Sequence, residues 1–369
     1  MSSERLSAAV DAFRRAVDEG RVTGAQLLVA RQGKVVVHEA LGWRSLQPRL
    51  PMERSTLVRM ASNTKTVVAT GVLMLWEDGQ LALTDGVAEH LPGFGDGLSA
   101  QLTIRDLLRH TTGFSNQLDN YVGEITTHSA EQPAAPSLKV EAVKIGEEGP
   151  AIAPGGEFRY NNWGYTVLGA IIEEVAGQKV DSFLTARLYE PLGMAETSHA
   201  LWGVDSARVA VNYMNDSGEW EVLPPESPPF VRTTGGLVST AWDFAKFCLL
   251  FLNGGRYGEV RLLQRETVTA ATSLQVEGPY QYGTPETIET AGLRPDWYSA
   301  RDSRGLDLDA GYGYGWSIAR NGAYSHAGFR GTFAYVDPNE DLIILIFAQS
   351  RTGGTPGQAF IDAVYDAIL

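Results

Sequence analysis

A serine and a lysine three residues apart, Ser62 and Lys65, have the spacing of a nucleophile and its base. At positions i and i+3 of a helix, the two side chains project from the same face. A serine hydroxyl becomes an effective nucleophile when a neighbouring group accepts its proton. Burial lowers the pKa of a lysine, so a neutral amine could be that group. The same spacing also fits a helix cap followed by a solvated lysine, so further motifs must decide.

A tyrosine and an asparagine, Tyr160 and Asn162, form a Tyr-x-Asn just before a helix predicted to begin at Trp163. A phenol beside an ammonium group can relay protons, and an amide can hold a substrate carbonyl. The tripeptide Tyr213-Met214-Asn215 has the same pattern. Only the first pair lies at a tight turn into a helix, so position favours Tyr160.

A histidine and a glycine, His326 and Gly328, lie on a predicted strand near the C-terminal end. Glycine permits a close backbone approach, which would let the N–H of Phe329 point at a substrate carbonyl. Together with the N–H of Ser62 it would complete an oxyanion hole. A single histidine on a strand is also typical of a purely structural side chain.

The order of these three motifs resembles that of the serine β-lactamase and penicillin-binding-protein-like superfamily. The segment Leu107-Leu108-Arg109-His110-Thr111-Thr112-Gly113-Phe114 is similar to the family's Leu-Leu-x-His-Thr-Ser-Gly-Leu. Similar matches occur at Pro154 to Gly169 and at Gly235 to Thr240, and the resemblance covers about residues 5 to 365.

The resemblance implies a role for each motif residue. Ser62 would be acylated, Lys65 and Tyr160 would relay protons, Asn162 would lie near the substrate, and the Phe329 N–H would lie in the oxyanion hole. Whether Lys65 or Tyr160 is the general base stays open.

The resemblance also implies an α/β fold of the α+β type, with about five antiparallel core strands flanked by helices and an inserted helical lobe. Hydrophobic periodicity agrees. Strands are predicted at 25–31, 34–40, 315–320, 324–337 and 342–348, and helices at 4–19, 63–78, 104–110, 163–176, 241–252 and 357–368.

We therefore predict a single catalytic unit over residues 1–369. Its sheet lobe would comprise about 1–60 and 312–369, and its helical lobe about 61–311. Two long irregular stretches, 115–156 and 275–311, are predicted to be loops.

Two further residues are interpreted as structural. His110 ends a predicted helix, where its charge or hydrogen bonds would stabilise the terminal carbonyls. Cys248 lies in an apolar helix and is predicted to belong to the core. The other histidines lack ligand spacing, so neither a metal site nor a cofactor is expected.

The charge of the chain argues against several classes of partner. A formal net charge of -14 and a pI near 4.9 disfavour nucleic acid and acidic membrane surfaces. The sequence has no apolar run of membrane-spanning length and no secretory signal, so a cytoplasmic location is expected. A small neutral or cationic molecule is the expected partner, and the oligomeric state stays open.

The third motif affects the expected reaction, because His326 stands where classical β-lactamases and D,D-peptidases usually have the lysine of a Lys-Thr-Gly. A histidine is mostly neutral at pH 7, so a constant cation for a substrate carboxylate is lost. This favours a carboxylesterase acting on small acyl esters. The alternatives are a D-aminopeptidase or D-amino-acid amidase, a weak β-lactamase or D,D-peptidase, an acyltransferase, and a non-catalytic penicillin-binding-like sensor or scaffold.

Overall fold

The structure, a computed structural model, describes residues 1–114, 137–199, 204–215, 218–223, 230–278, 310–351 and 357–368. The α-helices of this part are α1 Ser3–Asp18, α2 Thr64–Glu77, α3 Ile104–Leu108, α4 Leu138–Glu148, α5 Trp163–Ala176, α6 Val180–Leu184, α7 Glu190–Leu192, α8 Ala241–Leu252, α9 Arg265–Ala271 and α10 Gly357–Asp366. The strands are β1 Gly24–Arg31, β2 Lys34–Leu46, β3 Arg49–Pro51, β4 Val58–Arg59, β5 Tyr213–Met214, β6 Glu221–Val222, β7 Val238–Ser239, β8 Arg256–Tyr257, β9 Val260–Arg261, β10 Val276–Glu277, β11 Gly311–Tyr312, β12 Ser317–Ile318, β13 Tyr324–Gly328, β14 Thr332–Asp337, β15 Leu342–Ala348 and β16 Ser350–Arg351.

The main sheet joins strands from both ends of the chain, as predicted. Within the described residues its order is β10-β11-β12-β13-β14-β15-β1-β2-β3, and every neighbouring pair is antiparallel. At its centre Leu28 lies opposite Leu345 on one side and His38 on the other. The five longest strands are adjacent, which confirms the predicted core of the sheet.

Successive residues of the central strands face two different cores, because side chains alternate across a strand. Leu27 and Val29 belong to the core beneath α1 and α10, where Phe13 meets Phe360 at a ring distance of 5.9 Å. Leu28 belongs to the other core, with α2 and α8. Each residue of α2 from Thr64 to Leu75 is buried, so this helix passes through the interior.

Several predicted elements differ from the structure, among them the predicted loop 275–311, which contains β10. Residues 324–337, predicted as one strand, form the hairpin of β13 and β14, in which Gly331 has a φ of +88°. Of the predicted strand 315–320, only β12 forms. The predicted loop 115–156 contains α4, in which Ser137 caps the first turn and Leu138, Ala142 and Ile145 are buried at helical spacing. Residues 115–136 and 279–309 of the two predicted loops lie outside the described residues.

In the described part of the chain, the helices fall short of the combined length and hydropathy that crossing a bilayer requires.

Candidate active site

The Ser62 and Lys65 side chains meet at the start of α2, where a single 3-10 turn, Ala61–Asn63, leads into the helix. Lys65 Nζ lies 3.1 Å from Ser62 Oγ. Lys65 is fully buried and Ser62 only half-buried, so the hydroxyl is accessible while its partner is shielded from water. The structure therefore excludes the solvated-lysine interpretation of this spacing.

Lys65 is also held by a second contact, which sequence reasoning missed. Its Nζ donates to the Thr234 carbonyl oxygen at 2.9 Å. Thr234 lies within a tight turn in which the Gly236 N–H donates to the Arg232 carbonyl oxygen at 2.9 Å. The neighbouring Gly235 packs against Ala61, so the glycine pair lies beside the nucleophile.

The environment of Lys65 favours its neutral form. Burial holds the pKa of Lys65 well below its usual value, and the charge of Arg232 lowers it further. As a neutral amine, Lys65 can donate to Thr234 and accept the hydroxyl proton of Ser62 across the 3.1 Å contact. The two side chains have the geometry of a base and a nucleophile.

Tyr160 lies against the same amine. The centre of its ring is 4.8 Å from Lys65 Nζ, and the residue is buried. Tyr213, the alternative Tyr-x-Asn tyrosine, lies on β5, and its hydroxyl accepts from the Leu46 N–H at 2.8 Å. The part of Tyr160 in a proton relay stays a prediction.

Asn162 and its neighbour Asn161 have different surroundings. Asn162 occupies the N-cap position of α5, is half-buried and makes no capping hydrogen bond with its side chain. Asn161 is buried, and its Oδ1 accepts from the Gly164 N–H at 2.8 Å. The amide of Asn161 therefore shapes the turn, while the contact of Asn162 with substrate stays a prediction.

Gly328 allows β13 to approach the nucleophile. A Cβ on this residue would lie 2.1 Å from Thr332 Oγ1, 2.6 Å from the Met60 carbonyl oxygen and 3.2 Å from the Ala61 Cβ. Thr332 Oγ1 donates to that same Met60 oxygen at 3.0 Å, which joins the sheet to the segment before Ser62. The backbone of Phe329, the next residue, therefore starts next to the segment that carries Ser62. Half of the surface of Phe329 is exposed.

His326 is buried and paired with a residue that sequence reasoning missed. Its Nδ1 donates to the Ala327 carbonyl oxygen at 2.8 Å, so its Nε2 accepts from the Tyr312 hydroxyl at 3.0 Å. Burial and the charge of Lys65 lower the pKa of His326 to about 3, against the opposite effect of the Ala327 contact. The imidazole is neutral and faces Tyr312, and its predicted contact with substrate stays a prediction.

His110 does not have the environment that the sequence suggested. Helix α3 ends at Leu108, and His110 follows it, fully buried, with a φ of +60°. Burial, then the charges of Lys65 and His326, hold its pKa well below the usual value. It therefore carries no charge with which to stabilise the helix carbonyls. Its neighbours are instead the aromatic side chains around Tyr160.

Cys248 lies in the core of α8, as predicted, and is fully buried. Burial raises the pKa of its thiol, so the side chain behaves as an apolar core residue.

The profile of the family described as Beta-lactamase matches residues 9–367, almost the whole chain. This chain belongs to the beta-lactamase family. Members of this superfamily are serine hydrolases.

Individual relatives are distant. Protein flp of Staphylococcus aureus (strain NCTC 8325 / PS 47) is 27% identical over 215 residues, which is 57% of this chain. The match spans 41% of the length of protein flp.

Solved structures share the fold over nearly the whole chain. EstCE1, "a hydrolase with promiscuous acyltransferase activity", has a TM-score of 0.78 at 22% identity, covering 99% of both chains. The D-amino acid amidase of Ochrobactrum anthropi SV3 has a TM-score of 0.74 at 21% identity, covering 98% of this chain and 99% of its own. These likenesses confirm the predicted fold class.

Proposed function

We propose that this protein is a carboxylesterase that hydrolyses small acyl esters through an acyl-enzyme on Ser62. The observation that carries the proposal is the 3.1 Å contact between Ser62 Oγ and the fully buried Lys65 Nζ. Burial away from water favours the neutral form of a lysine, whereas exposure to water favours the charged form. A neutral Lys65 can therefore take the proton that a serine must lose to attack an ester.

The reaction has two halves. The Ser62 hydroxyl proton passes to Lys65, directly or through Tyr160, while Oγ bonds to the ester carbonyl carbon. The carbon–oxygen bond to the alcohol then breaks, and the alcohol leaves with that proton. Water next gives a proton to Lys65 as it attacks the acyl carbon, the bond to Oγ breaks, and Oγ takes up that proton as the acid departs.

The oxyanion formed in each half needs two N–H donors. We assign these to the backbone of Ser62 and Phe329. The close packing of Gly328 against Met60 and Ala61 supports this assignment, because it brings the end of β13 to the nucleophile. Preorganised donors of this kind commonly contribute a factor of about 10² to 10³ to kcat.

The neutral His326 favours an ester over a β-lactam. Its pKa of about 3 leaves it uncharged at physiological pH, so it cannot supply the constant cation of a Lys-Thr-Gly. The shared fold with EstCE1 supports a hydrolase acting on acyl groups. The shared fold with a D-amino acid amidase makes an amidase the second candidate.

Two measurements test this proposal. A fluorophosphonate probe should label the wild-type protein and Ser182→Ala, a substitution of an exposed serine, but not Ser62→Ala. In a substrate panel, p-nitrophenyl acyl esters of graded length should exceed nitrocefin in kcat/KM by at least about tenfold. Near-normal turnover by Ser62→Ala would refute the nucleophile. Faster turnover of D-alanine amide or nitrocefin would refute the esterase.

A further inference from the structure

His110 holds the backbone on both sides of Tyr160. Its carbonyl oxygen accepts from the Arg159 N–H at 2.8 Å. Its ring nitrogen Nδ1 accepts from the Asn161 N–H at 3.2 Å. These two residues flank Tyr160 directly, so one histidine fixes the chain before and after the predicted relay tyrosine.

The ring of His110 also sets the plane against which Tyr160 packs. The two ring centres are 4.4 Å apart with an interplanar angle of 41°. The rings of Tyr312 and Tyr165 lie 4.9 Å and 5.0 Å from the same imidazole, which is fully buried. A ring enclosed in this way has little freedom to move, and neither has the tyrosine ring that rests on it.

The backbone of His110 is in the left-handed region, with a φ of +60°. Residues other than glycine adopt this conformation seldom, and it persists only where surrounding contacts determine it. Here the adjoining Thr111 and Thr112 add such contacts. The Thr111 carbonyl oxygen accepts from the Gly155 N–H at 2.8 Å, and Thr112 Oγ1 accepts from Asn161 Nδ2 at 3.0 Å.

We infer that His110 is a positioning residue that holds Tyr160 against Lys65 for proton transfer. The inference rests on the proposed function, because His110 would act through the proton relay that prepares Ser62 for acylation. An accepting Nδ1 requires a neutral imidazole with its proton on Nε2. Burial, the main cause of the lowered pKa of His110, maintains that state.

Replacing His110 tests the role through kinetics. In His110→Ala the Asn161 N–H loses its acceptor and Tyr160 loses its packing surface, so kcat for a p-nitrophenyl ester should fall about 100-fold, with KM within about threefold. His110→Asn should recover at least about tenfold of that loss, because asparagine tolerates the left-handed region and its Oδ1 can accept the same N–H.

A double variant separates positioning from an independent effect. If His110 acts through Tyr160, the His110→Ala/Tyr160→Phe variant should lose about as much kcat as Tyr160→Phe alone. A loss of kcat in the double variant equal to the product of the two single losses would overturn the inference. A wild-type kcat in His110→Ala would also overturn it.

A matched control addresses general destabilisation. His199 is also a buried histidine, and its Nδ1 lies 2.7 Å from the Tyr189 hydroxyl. His199→Ala should lower Tm while the folded enzyme keeps its kcat. An equal loss of kcat in His199→Ala would contradict a specific role for His110.

The inference and the proposed function can fail separately. Wild-type kinetics in His110→Ala, with normal ester hydrolysis by the wild-type protein, would refute only the positioning role. If the wild-type protein turns over no ester, the rate of fluorophosphonate labelling at Ser62 still reports on the relay. That labelling should then be slowed by His110→Ala and partly restored by His110→Asn.

Discussion

The proposed role of Lys65 as a base depends on folding, because folding removes the amine from water and places it near the charge of Arg232. Burial contributes most to its lowered pKa, and the charge of Arg232 adds to it. Burial, and secondarily the charge that Lys65 carries when protonated, lower the pKa values of His110 and His326, so neither histidine holds a stable charge. Groups whose pKa values are perturbed in this way are typical of catalytic sites.

The dependence of activity on pH should respond to Arg232. In Arg232→Gln a positive charge near Lys65 is lost, so the ammonium form becomes more favourable and the pKa of Lys65 rises. Since the neutral amine is the proposed base, kcat/KM should fall as Lys65 becomes protonated. This acidic limb of the pH–rate profile should move to higher pH. A pH–rate profile with a p-nitrophenyl ester measures this shift.

The control for this variant is Arg187→Gln. Arg187 pairs with Asp78 at 2.9 Å on the surface, and its loss should leave the acidic limb in place. A limb that moves to lower pH in Arg232→Gln, or does not move, would contradict the effect of Arg232 on Lys65.

At the scale of elements, the site depends on the close approach of β13 to the turn before α2. Asn63 Nδ2 donates to Thr332 Oγ1 at 3.1 Å, and this hydroxyl donates in turn to the Met60 carbonyl oxygen. Gly328 provides the room for these contacts. The nucleophile and the predicted oxyanion donors are therefore positioned by two elements that are distant in sequence.

A methyl group at position 328 should disturb this approach. The Cβ of Gly328→Ala would meet the Met60 backbone oxygen at 2.6 Å, so the segment leading to Ser62 must shift. We expect kcat/KM for esters to fall at least about tenfold, since small displacements of a nucleophile are costly.

Gly95→Ala is the matched control, because a Cβ there meets no atom within 4 Å. Its kcat/KM should equal that of the wild-type protein. Unchanged kinetics in a folded Gly328→Ala variant would show that the approach of β13 does not position the site.

At the scale of the whole molecule, the sheet separates two hydrophobic cores. The core beneath α1 and α10 includes Phe13 and Phe360, whereas the core that surrounds α2 supports Lys65. The residues that flank α1 and α10 are also joined, because the Ser2 N–H donates to the Ala367 carbonyl oxygen at 2.8 Å. Stability and catalysis can therefore depend on different faces of one sheet.

Replacing Phe13 by alanine should lower the stability of the protein but not its catalytic activity. The Phe13 ring is fully buried against Phe360, so Phe13→Ala should lower the free energy of unfolding by about 3–5 kcal/mol. Denaturant unfolding measures this loss. At a temperature where the variant stays folded, kcat/KM should remain within about twofold of the wild-type value, and a loss of 100-fold would show that the terminal helices support the site.

Much of the fold could be predicted because local pattern and tertiary packing agree. The helices predicted at 63–78 and 104–110 form as α2 and α3, and Thr103 with Asp106 makes a reciprocal capping contact at the start of α3. The hairpin of β13 and β14 was missed because strand-forming residues lie on both sides of the turn at Gly331. Residues 324–337 were therefore predicted as one strand. Helix α4 was missed because its short apolar pattern lies between Pro136 and Pro150, in a stretch that was predicted to be a loop.

The sequence by itself determined the motif residues Ser62, Lys65 and Tyr160 and their order, because residue type and helical spacing are local properties. Only the tertiary structure decided how they meet: the burial of Lys65, the Thr234 carbonyl on its amine, the pairing of His326 with Tyr312 and the two contacts of His110 around Tyr160. Each of these joins segments distant in the chain. Burial and pKa depend on those neighbours, which spacing along the sequence does not specify.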